Sequence, residues 1–434
     1  MSLETPEKIR MLQKKLYSKA KQEPGYRFYL LYDKIYRDDI LAHSWALAKA
    51  NAGAPGVDGQ SFEQIESQGL EKWLQGIRED LRQRTYKPEP VRRVMIPKAG
   101  GGQRPLGIPT IRDRVVQTAT KLVIEPIFEA DLEPEAYGYR PRRSAADAIQ
   151  KVHQHICEGY TDVVDADLTK YFDTIPHGDL MQSVARRIVD RDVLHLIKMW
   201  LTVPVQERDD NGQSRWTGGN TCGTPQGGVI SPLLANIYMN RFLKYWRWTG
   251  RGEQFRARIV TYADDFVILS RGCAAEAMEW TRRVMAKLGL QLNEQKTRLC
   301  DARQERFDFL GYAFGPHWYV PKRHRYLGAS PSRKSVSRVK DKVRELLRPS
   351  NVGPWEDVRD QLNRLLRGWS GYFNYGTRAK AYQSVNRYVH DQVCHFLRRR
   401  QQLPSRGTAR FSADVLAGSL GILRLTPLRR GVGV

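Results

Sequence analysis

The feature that most constrains this chain is a pair of adjacent carboxylates, Asp264 and Asp265, inside an apolar stretch at 259–270. Apolar residues on both sides of the pair predict a β-hairpin whose turn carries the acids. Neighbouring like charges in a half-buried place are costly unless a cation compensates them. Mg²⁺ suits that role because it binds carboxylate and phosphate oxygens. A solvent-exposed hairpin tip is the alternative, and the pair alone does not decide between the two.

A second acidic strand precedes this hairpin in the chain. The segment 162–168 is predicted to be a short apolar strand with Asp165 and Asp167 near its end. Phosphoryl transfer with two metal ions needs carboxylates from more than one segment, so that ions about 4 Å apart can hold the reacting oxygens. Asp167 and Asp264 meet this need if folding makes their strands neighbours. Asp165 points to the same strand face as Asp167 and is its rival.

Several further motifs occur in a fixed order between residues 50 and 320. They are Ile96-Pro-Lys98 with Arg104–Thr110, Tyr137–Ser144, Cys222–Gly228 with the following 229–236, Leu292–Arg298, and Phe309–Tyr312. Each motif is weak alone, but with the acidic strands the series resembles bacterial group II intron reverse transcriptases in order and spacing. The resemblance implies a right-hand polymerase fold. That fold has an α+β fingers–palm core with an antiparallel sheet, followed by an all-α thumb or maturase domain.

The resemblance also implies roles for the acidic strands. Asp167, Asp264 and Asp265 match the catalytic carboxylates, which bind two Mg²⁺ ions. Phe172 falls at the family's steric-gate position, where a bulky ring would clash with a 2′-hydroxyl and so select deoxynucleotides. A plain core aromatic is the other interpretation of Phe172.

Further roles concern the binding of dNTPs and the primer. Lys98 and Arg104 match residues that hold the incoming triphosphate, and a point charge and a fork-shaped donor on a hairpin suit that task. A solvated basic hairpin is the alternative. Gln226 matches the loop beside the nascent base pair. Lys296 matches a lysine near the active site or is an ordinary surface lysine, and 309–312 is a primer grip or simply a packed β-hairpin.

The net charge favours a polyanionic partner. There are 71 Lys and Arg against 47 Asp and Glu, a formal net of +24, and a cation set against a phosphate releases counterions. An anionic membrane is the less favoured partner. The residues expected to contact nucleic acid are Arg112, Arg114, Arg140, Lys296, Arg398, Arg399 and Arg400. By resemblance, the partners are an RNA template, a primer strand, dNTPs and the group II intron RNA; the oligomeric state is not predicted.

The distribution of charged and apolar residues along the chain predicts four regions. They are 1–60, a helical extension with a template- or primer-contacting loop; 61–325, the fingers and palm; 326–400, the helical thumb or maturase domain; and 401–434, a basic segment and candidate short DNA-binding region. The segment 333–400 holds 16 Lys or Arg and 6 Asp or Glu, with apolar residues at helical spacing. Leu180–Thr202 is predicted to be one helix.

The remaining expectations concern location and function. No run approaches the roughly 18 apolar residues of a membrane span, and the five scattered cysteines form no zinc or disulfide pattern. We expect a cytoplasmic bacterial protein without the paired-cysteine endonuclease that many relatives carry. The predicted function is RNA-directed DNA synthesis together with assistance to intron splicing and retrohoming. Two alternatives are a domesticated reverse transcriptase in DNA repair or phage defence, and a maturase without polymerase activity.

Overall fold

The N-terminal part of the chain is helical and packs directly on the central core. The structure is a computed structural model that describes residues 3–97, 102–208, 214–319, 323–402 and 411–426. The first helices are α1 (Glu7–Gln22), α2 (Tyr32–Ile35), α3 (Asp38–Asn51), α4 (Phe62–Ser67) and α5 (Leu70–Arg82). Ser61 and Gln64 form a capping box that begins α4. Helices α1 and α3 lie against α6 (Ile111–Glu129), so this extension shares the hydrophobic core of the rest.

The first sheet forms the fingers. Its strands are β1 (Val91–Pro97), β2 (Gln103–Ile108), β4 (Val205–Arg208) and β5 (Ser214–Thr217), in the order β2-β1-β4-β5. Strands β1 and β2 pair antiparallel, with Pro97 opposite Gln103. The predicted two-stranded hairpin at 91–110 is therefore confirmed. Its connection, which includes Lys98, lies outside the described residues.

The second sheet forms the palm and is antiparallel throughout. Its strands are β3 (Asp162–Asp167), β6 (Ala257–Tyr262), β7 (Asp265–Ser270) and β8 (Arg298–Asp301), in the order β6-β7-β3-β8. Side chains alternate between two cores, as the period of a strand requires. Val164 and Ile268 enter the large core, whereas Val163 and Leu269 enter a second core on the other face. Burial on both faces explains why these strands read as continuous apolar runs.

Helices surround the palm sheet on both faces. They are α7 (Ala145–Cys157), α8 (Tyr171–Thr174), α9 (His177–Ala185), α10 (Arg191–Leu201), α11 (Ser231–Trp248), α12 (Arg251–Gln254) and α13 (Ala274–Lys287). The prediction of one helix over Leu180–Thr202 was wrong. Asp190 has an extended backbone and its side chain caps the N-terminus of α10, so the chain turns between α9 and α10.

A third sheet joins the palm to the thumb. Its strands are β9 (Phe307–Phe309), β10 (Tyr312–Tyr319) and β11 (His324–Pro331), in the order β11-β10-β9. The thumb helices are α14 (Arg333–Leu346), α15 (Trp355–Tyr372), α16 (Ala379–Arg400) and the short α17 (Ala413–Ala417). Their apolar stripes, including Val343, Leu366 and Val393, close a separate core. The amphipathic pattern of this region therefore predicted its helices correctly.

The predicted fold class is confirmed: an α+β fingers–palm core with an antiparallel palm sheet is followed by a helical thumb. The predicted domain boundaries stay predictions. Among the described residues, no helix combines the length and apolar character needed to cross a bilayer. All five cysteines are free thiols.

Candidate active site

The turn between β6 and β7 carries the adjacent acids, as predicted. Ala263 has a φ of 58°, and this left-handed residue lets Asp264 and Asp265 follow in a tight turn. A neighbouring loop holds the turn from behind. A Cβ atom on Gly138 would lie 2.5 Å from the Ala263 nitrogen, so only glycine permits this approach. The Asn236 side chain donates a 2.7 Å hydrogen bond to the Gly138 carbonyl and fixes the loop in turn.

Strand β3 brings Asp167 to the same place. Strands β3 and β7 are antiparallel, and their register sets Asp167 opposite Asp265 at the end of the pairing. Asp165 lies deeper in the sheet, opposite Val267, and its carboxylate is 3.4 Å from the Arg298 guanidinium. The strand end thus favours Asp167 over Asp165 as the partner of the turn acids. Distant segments of the chain converge here by strand pairing alone.

The electrostatics of the three acids show how tightly they are crowded. Desolvation in the cleft is the main cause that raises the pKa of Asp265 to about 7, and the charges of Asp264 and Asp167 raise it further. The pKa of Asp264 is raised mainly by burial, and the nearby charge of Asp167 adds to this shift. The Asp165 pKa is raised to about 6, chiefly by burial. Such a cluster is stabilised by any cation that enters it.

Two protein cations face this cluster. Lys296 Nζ lies 3.0 Å from Asp167 Oδ2, and its side chain is 65% exposed, so it can withdraw without disturbing the core. The charges of Arg104 and Lys296 each lower the pKa of Asp264 against the larger effect of burial. Arg104 on β2 therefore lies within electrostatic reach of the palm acids. In the described part of the chain, no three His, Cys, Asp or Glu side chains already stand together as a complete set of metal ligands.

A relay of hydrogen bonds links the fingers to the palm. Arg104 Nε donates to Gln226 Oε1 at 2.8 Å, and Gln226 Nε2 donates to Asp173 Oδ1 at 3.0 Å. The backbone is equally close, since Gly107 N donates to the Gln226 carbonyl at 2.6 Å. A Cβ atom on Gly227 would lie 2.3 Å from the Gly107 oxygen. The glycine after Gln226 is thus explained by backbone contact between this loop and β2.

Phe172 lies next to the acids at the start of α8. It is buried, and its ring meets the Tyr139 ring edge-on at a centroid distance of 6.4 Å. Tyr139, with a φ of 55°, is 48% exposed and also lies 6.4 Å from the Tyr262 ring. Phe172 is therefore a buried aromatic that packs against Tyr139, and its steric-gate role stays a prediction.

An open cleft lies between the palm and the thumb. Its volume is about 960 Å³. It is lined by Asp265 on the palm side and by residues of α14 and α15, including Arg338, Lys342 and Arg364, on the thumb side. Asp265 thus borders an open cleft whose thumb side carries three cations.

Comparison with known protein families identifies the family of the chain. Residues 96–314 match the family described as reverse transcriptase (RNA-dependent DNA polymerase). Residues 336–410 match the group II intron maturase-specific domain. The chain belongs to the group II intron-encoded reverse transcriptases. All three predicted carboxylates of the chain, and the relay from Arg104 to Asp173, fall within the first match.

Individual relatives agree with the family. The chain is 36% identical to protein YkfC of Escherichia coli over 355 residues, which cover 73% of the chain and 90% of YkfC. It is 32% identical to the group II intron-encoded protein LtrA of Lactococcus lactis over 222 residues, which cover 50% of the chain and 35% of LtrA. A solved telomerase from Candida albicans, in complex with a fragment of telomeric RNA, covers 82% of the chain and 70% of its own at 12% identity and a TM-score of 0.42. That likeness is too low to support an argument.

Three of the arginines expected to contact nucleic acid have internal partners instead. The buried Arg140 guanidinium pairs with Glu129 at 2.6 Å and donates to the Glu133 and Ala136 carbonyls. It thereby positions the loop that carries Gly138. The structure contradicts a nucleic-acid contact for Arg140, because its donors are enclosed and satisfied.

Arg114 and Arg112 likewise hold the fingers together. Arg114 is buried and donates to the Ala54 and Pro109 carbonyls, which anchors the predicted template-contacting loop. Arg112 pairs with Asp80 at 2.5 Å and lies over the Tyr86 ring. The burial of Arg114 corrects its predicted role, whereas the predicted nucleic-acid contact of the partly exposed Arg112 stays a prediction. Arginine spacing in sequence could not separate a phosphate contact from an internal ion pair.

Two arginines of the run at the end of α16 donate hydrogen bonds to backbone carbonyls. Arg399 donates to the Leu347 carbonyl, and Arg400 donates to the carbonyls of Asn351 and Gly353. Both therefore hold the loop between α14 and α15. The predicted RNA contact of Arg398, Arg399 and Arg400 stays a prediction, with a structural task now added for the last two.

Four site residues received no role from the sequence: Tyr139, Asp173, Asn236 and Arg298. Each lies in or beside a motif that the sequence does show. Asp173 directly follows Phe172, and Asn236 ends the motif that starts at Cys222. Their roles depend on side-chain contacts between motifs, which the order of motifs along the chain does not contain.

Proposed function

We propose that this chain is an active RNA-directed DNA polymerase that adds deoxynucleotides to a primer 3′-hydroxyl. The observation that carries the proposal is the convergence of Asp167, Asp264 and Asp265 below a basic cleft, with Arg104 facing them. Family membership supports the same reaction. The intact carboxylates argue against a maturase without polymerase activity, and no observation favours a role in repair or defence.

The donor set of the site fits divalent metal ions. All three groups are carboxylates, the ligands that Mg²⁺ prefers. Burial and the charge of neighbouring acids raise the pKa of Asp264 and Asp265. We infer that Asp167, Asp264 and Asp265 hold two Mg²⁺ ions. When bound, such ions neutralise charge on the attacking and leaving oxygens. Lys296 holds Asp167 at 3.0 Å and supplies a positive charge at the same site.

The fingers bind the triphosphate of the incoming dNTP. Arg104 presents a planar fork of donors, which suits phosphate oxygens, and Gln226 orients it through the 2.8 Å hydrogen bond. We assign Lys98, on the hairpin connection, to the same triphosphate by its place in the family motif. Closure of this hairpin over the nucleotide would exclude water and align the α-phosphate with the primer.

Selection of deoxynucleotides falls to Phe172. Its ring lies beside the catalytic turn and is braced by Tyr139 at 6.4 Å. A braced ring cannot move aside for a 2′-hydroxyl without loss of packing. The second activity, assistance to splicing, follows from the maturase-specific match and requires the thumb to bind intron RNA. A bacterial cytoplasm would supply the dNTPs and RNA that these activities need.

The proposal is tested by primer extension on an RNA template with Mg²⁺. Wild type is expected to yield full-length cDNA, and Asp264→Ala is expected to yield none. Asp162→Asn is the matched control, because it removes a carboxylate from the far end of β3, about 17 Å from Asp167 at the usual rise per residue. Equal synthesis by wild type and Asp264→Ala would remove the assignment of the site.

A further inference from the structure

A second basic concavity lies at the base of the thumb, away from the polymerase cleft. We call it the thumb-base pocket and define it by Arg306, Trp318, Arg333, Lys340 and Lys380. Its volume is about 410 Å³, which is within the range of small-ligand sites. It is built from the β10–β11 hairpin, α14 and α16.

The thumb-base pocket is separated from the catalytic cleft by α14 itself. At about 3.6 residues per turn, positions 333, 336, 337 and 340 share one face of this helix, and all four line the pocket. Positions 335, 338, 339 and 342 share the opposite face, and all line the cleft that contains Asp265. A strand in the pocket is therefore not the primer–template duplex in the cleft.

The pocket has a positive charge that no described lining residue neutralises. Four of its lining side chains are cationic, and none of its described lining residues is acidic. Within the described ranges, Arg333 and Lys380 have neither an ion-pair nor a hydrogen-bond partner. Lys340 donates to Ser384 at 2.8 Å and lies over the Tyr388 ring, while Arg306 donates to the Pro316 carbonyl. Uncompensated cations in a concave site attract phosphate groups.

Two further features favour a nucleotide over a simple anion. Trp318 is 50% exposed at the rim and offers a surface on which a base can stack. His317 also lines the pocket and is 6% exposed; its Nδ1 lies 2.9 Å from the Gly315 carbonyl, and its enclosed Nε2 has no partner among the described atoms. The proton therefore belongs on Nδ1, which leaves Nε2 as an acceptor without a donor. A ribose hydroxyl or a base amino group is such a donor.

We propose that the thumb-base pocket binds an unpaired nucleotide and adjoining phosphates of an RNA strand that is distinct from the primer–template. The proposal rests on the proposed function, because an intron-bound reverse transcriptase must hold one RNA while it copies from its cleft. It assigns the two faces of α14 to two different nucleic acids. Stacking and unpaired bases are the usual means by which proteins recognise RNA.

In the test, a primer–template first occupies the cleft, so that added RNA reports only on the second site. The full chain is saturated with a primer–template whose primer ends in a dideoxynucleotide, and a labelled single-stranded RNA oligonucleotide is then titrated by fluorescence anisotropy. The double variant Arg333→Glu with Lys380→Glu is expected to weaken this second binding at least about tenfold. Its salt dependence should become shallower by about 1.4 in log–log slope, at roughly 0.7 per lost phosphate contact. Both residues are exposed, so the fold should be kept.

The matched control reverses the same charges on the other face of α14. Arg338→Glu with Lys342→Glu is expected to weaken primer–template binding and to leave the second RNA site within about twofold of wild type. Unchanged second-site affinity in the Arg333/Lys380 variant would overturn the proposal. So would equal losses in both double variants, because these would mean a single basic surface.

Two competitors test the chemical identity of the ligand. DNA of the same sequence is expected to compete more weakly than RNA, and polyglutamate is expected not to compete. If DNA or polyglutamate competed as strongly as RNA, the assignment of the ligand to RNA would be contradicted. Because binding is read without catalysis, a wild-type chain that fails to extend a primer would refute the proposed polymerase activity and leave this test intact.

Discussion

The palm and the thumb place their charged residues in opposite ways. In the palm, Asp264 and Asp265 follow a residue with a left-handed backbone. The close approach of Gly138 to this turn and the strand register fix the positions of both acids. In the thumb, arginines and lysines stand on regular helices, where neighbouring turns offer several equivalent positions. The positions of residues that the backbone fixes can be predicted from sequence. Helix-borne cations can be assigned only once their partners are known, as Arg399 and Arg400 show.

The largest effect on primer extension is expected where the backbone at Gly138 contacts the turn at Ala263. Gly138→Val would put its Cβ 2.5 Å from the Ala263 nitrogen, closer than van der Waals contact allows, and displace the turn of Asp264 and Asp265. We expect primer extension to fall by about 10³-fold, since misplacement by about 1 Å already costs about 10²-fold. Steady-state rates on an RNA template measure this. A rate within about threefold of wild type would show that the turn is not held by this loop.

A smaller effect is expected for the discrimination between deoxynucleotides and ribonucleotides. Phe172→Ala removes the ring beside the turn, so discrimination against ribonucleotides should fall by about 10–100-fold, the usual scale for a steric contact. Competing dNTP and rNTP incorporation measures the ratio of kcat/KM values. Phe128→Ala is the control, because it removes a buried ring from α6 without touching the turn. Equal loss of discrimination in both variants would make Phe172 only a core aromatic.

Without bound metal ions, the removal of one negative charge from the acidic cluster should stabilise the folded protein. The folded pKa of Asp265 is raised from 3.8 to about 7, so folding favours the protonated form. This contribution to stability is full below about pH 4 and is lost as the pH rises through about 7. In EDTA at about pH 8, Asp265→Asn should therefore be more stable than wild type by about 1 kcal/mol, a value reduced by solvent screening.

The pH dependence makes that prediction specific. The advantage of Asp265→Asn should shrink as the pH is lowered to about 5, because the wild-type carboxyl then carries its proton. Urea unfolding at both pH values measures the difference. A variant that is less stable than wild type at the higher pH would show that the acids are not crowded in the metal-free state.

The smallest effect is expected in the thumb. Arg400→Ala removes two hydrogen bonds to the α14–α15 loop and should cost about 1 kcal/mol of stability, while primer extension changes by less than about twofold. Thermal unfolding and extension rates measure the two. A strong loss of RNA affinity without loss of stability would return Arg400 to the predicted nucleic-acid contacts and weaken the contrast between palm and thumb.

The same contrast explains what the sequence could predict. The hairpin turn at Asp264, the strand ending at Asp167 and the basic helices were all predicted, because each has a local pattern of apolar and polar residues. The break between α9 and α10 was not, because Leu180–Thr202 is apolar enough to continue as one helix and only Asp190 marks the new cap. Arg114 and Arg140 were misassigned because burial is a property of tertiary packing.

The central claim is that acids from β3 and from the β6–β7 turn share divalent ions. Titration calorimetry of Mg²⁺ into the chain, bound to a primer–template with a blocked primer and a matching dNTP, tests it most directly. Two ions per chain are expected for wild type, since two-metal sites serve in-line displacement, and fewer for Asp264→Asn. The same number of ions with the same affinity in both proteins would contradict the account.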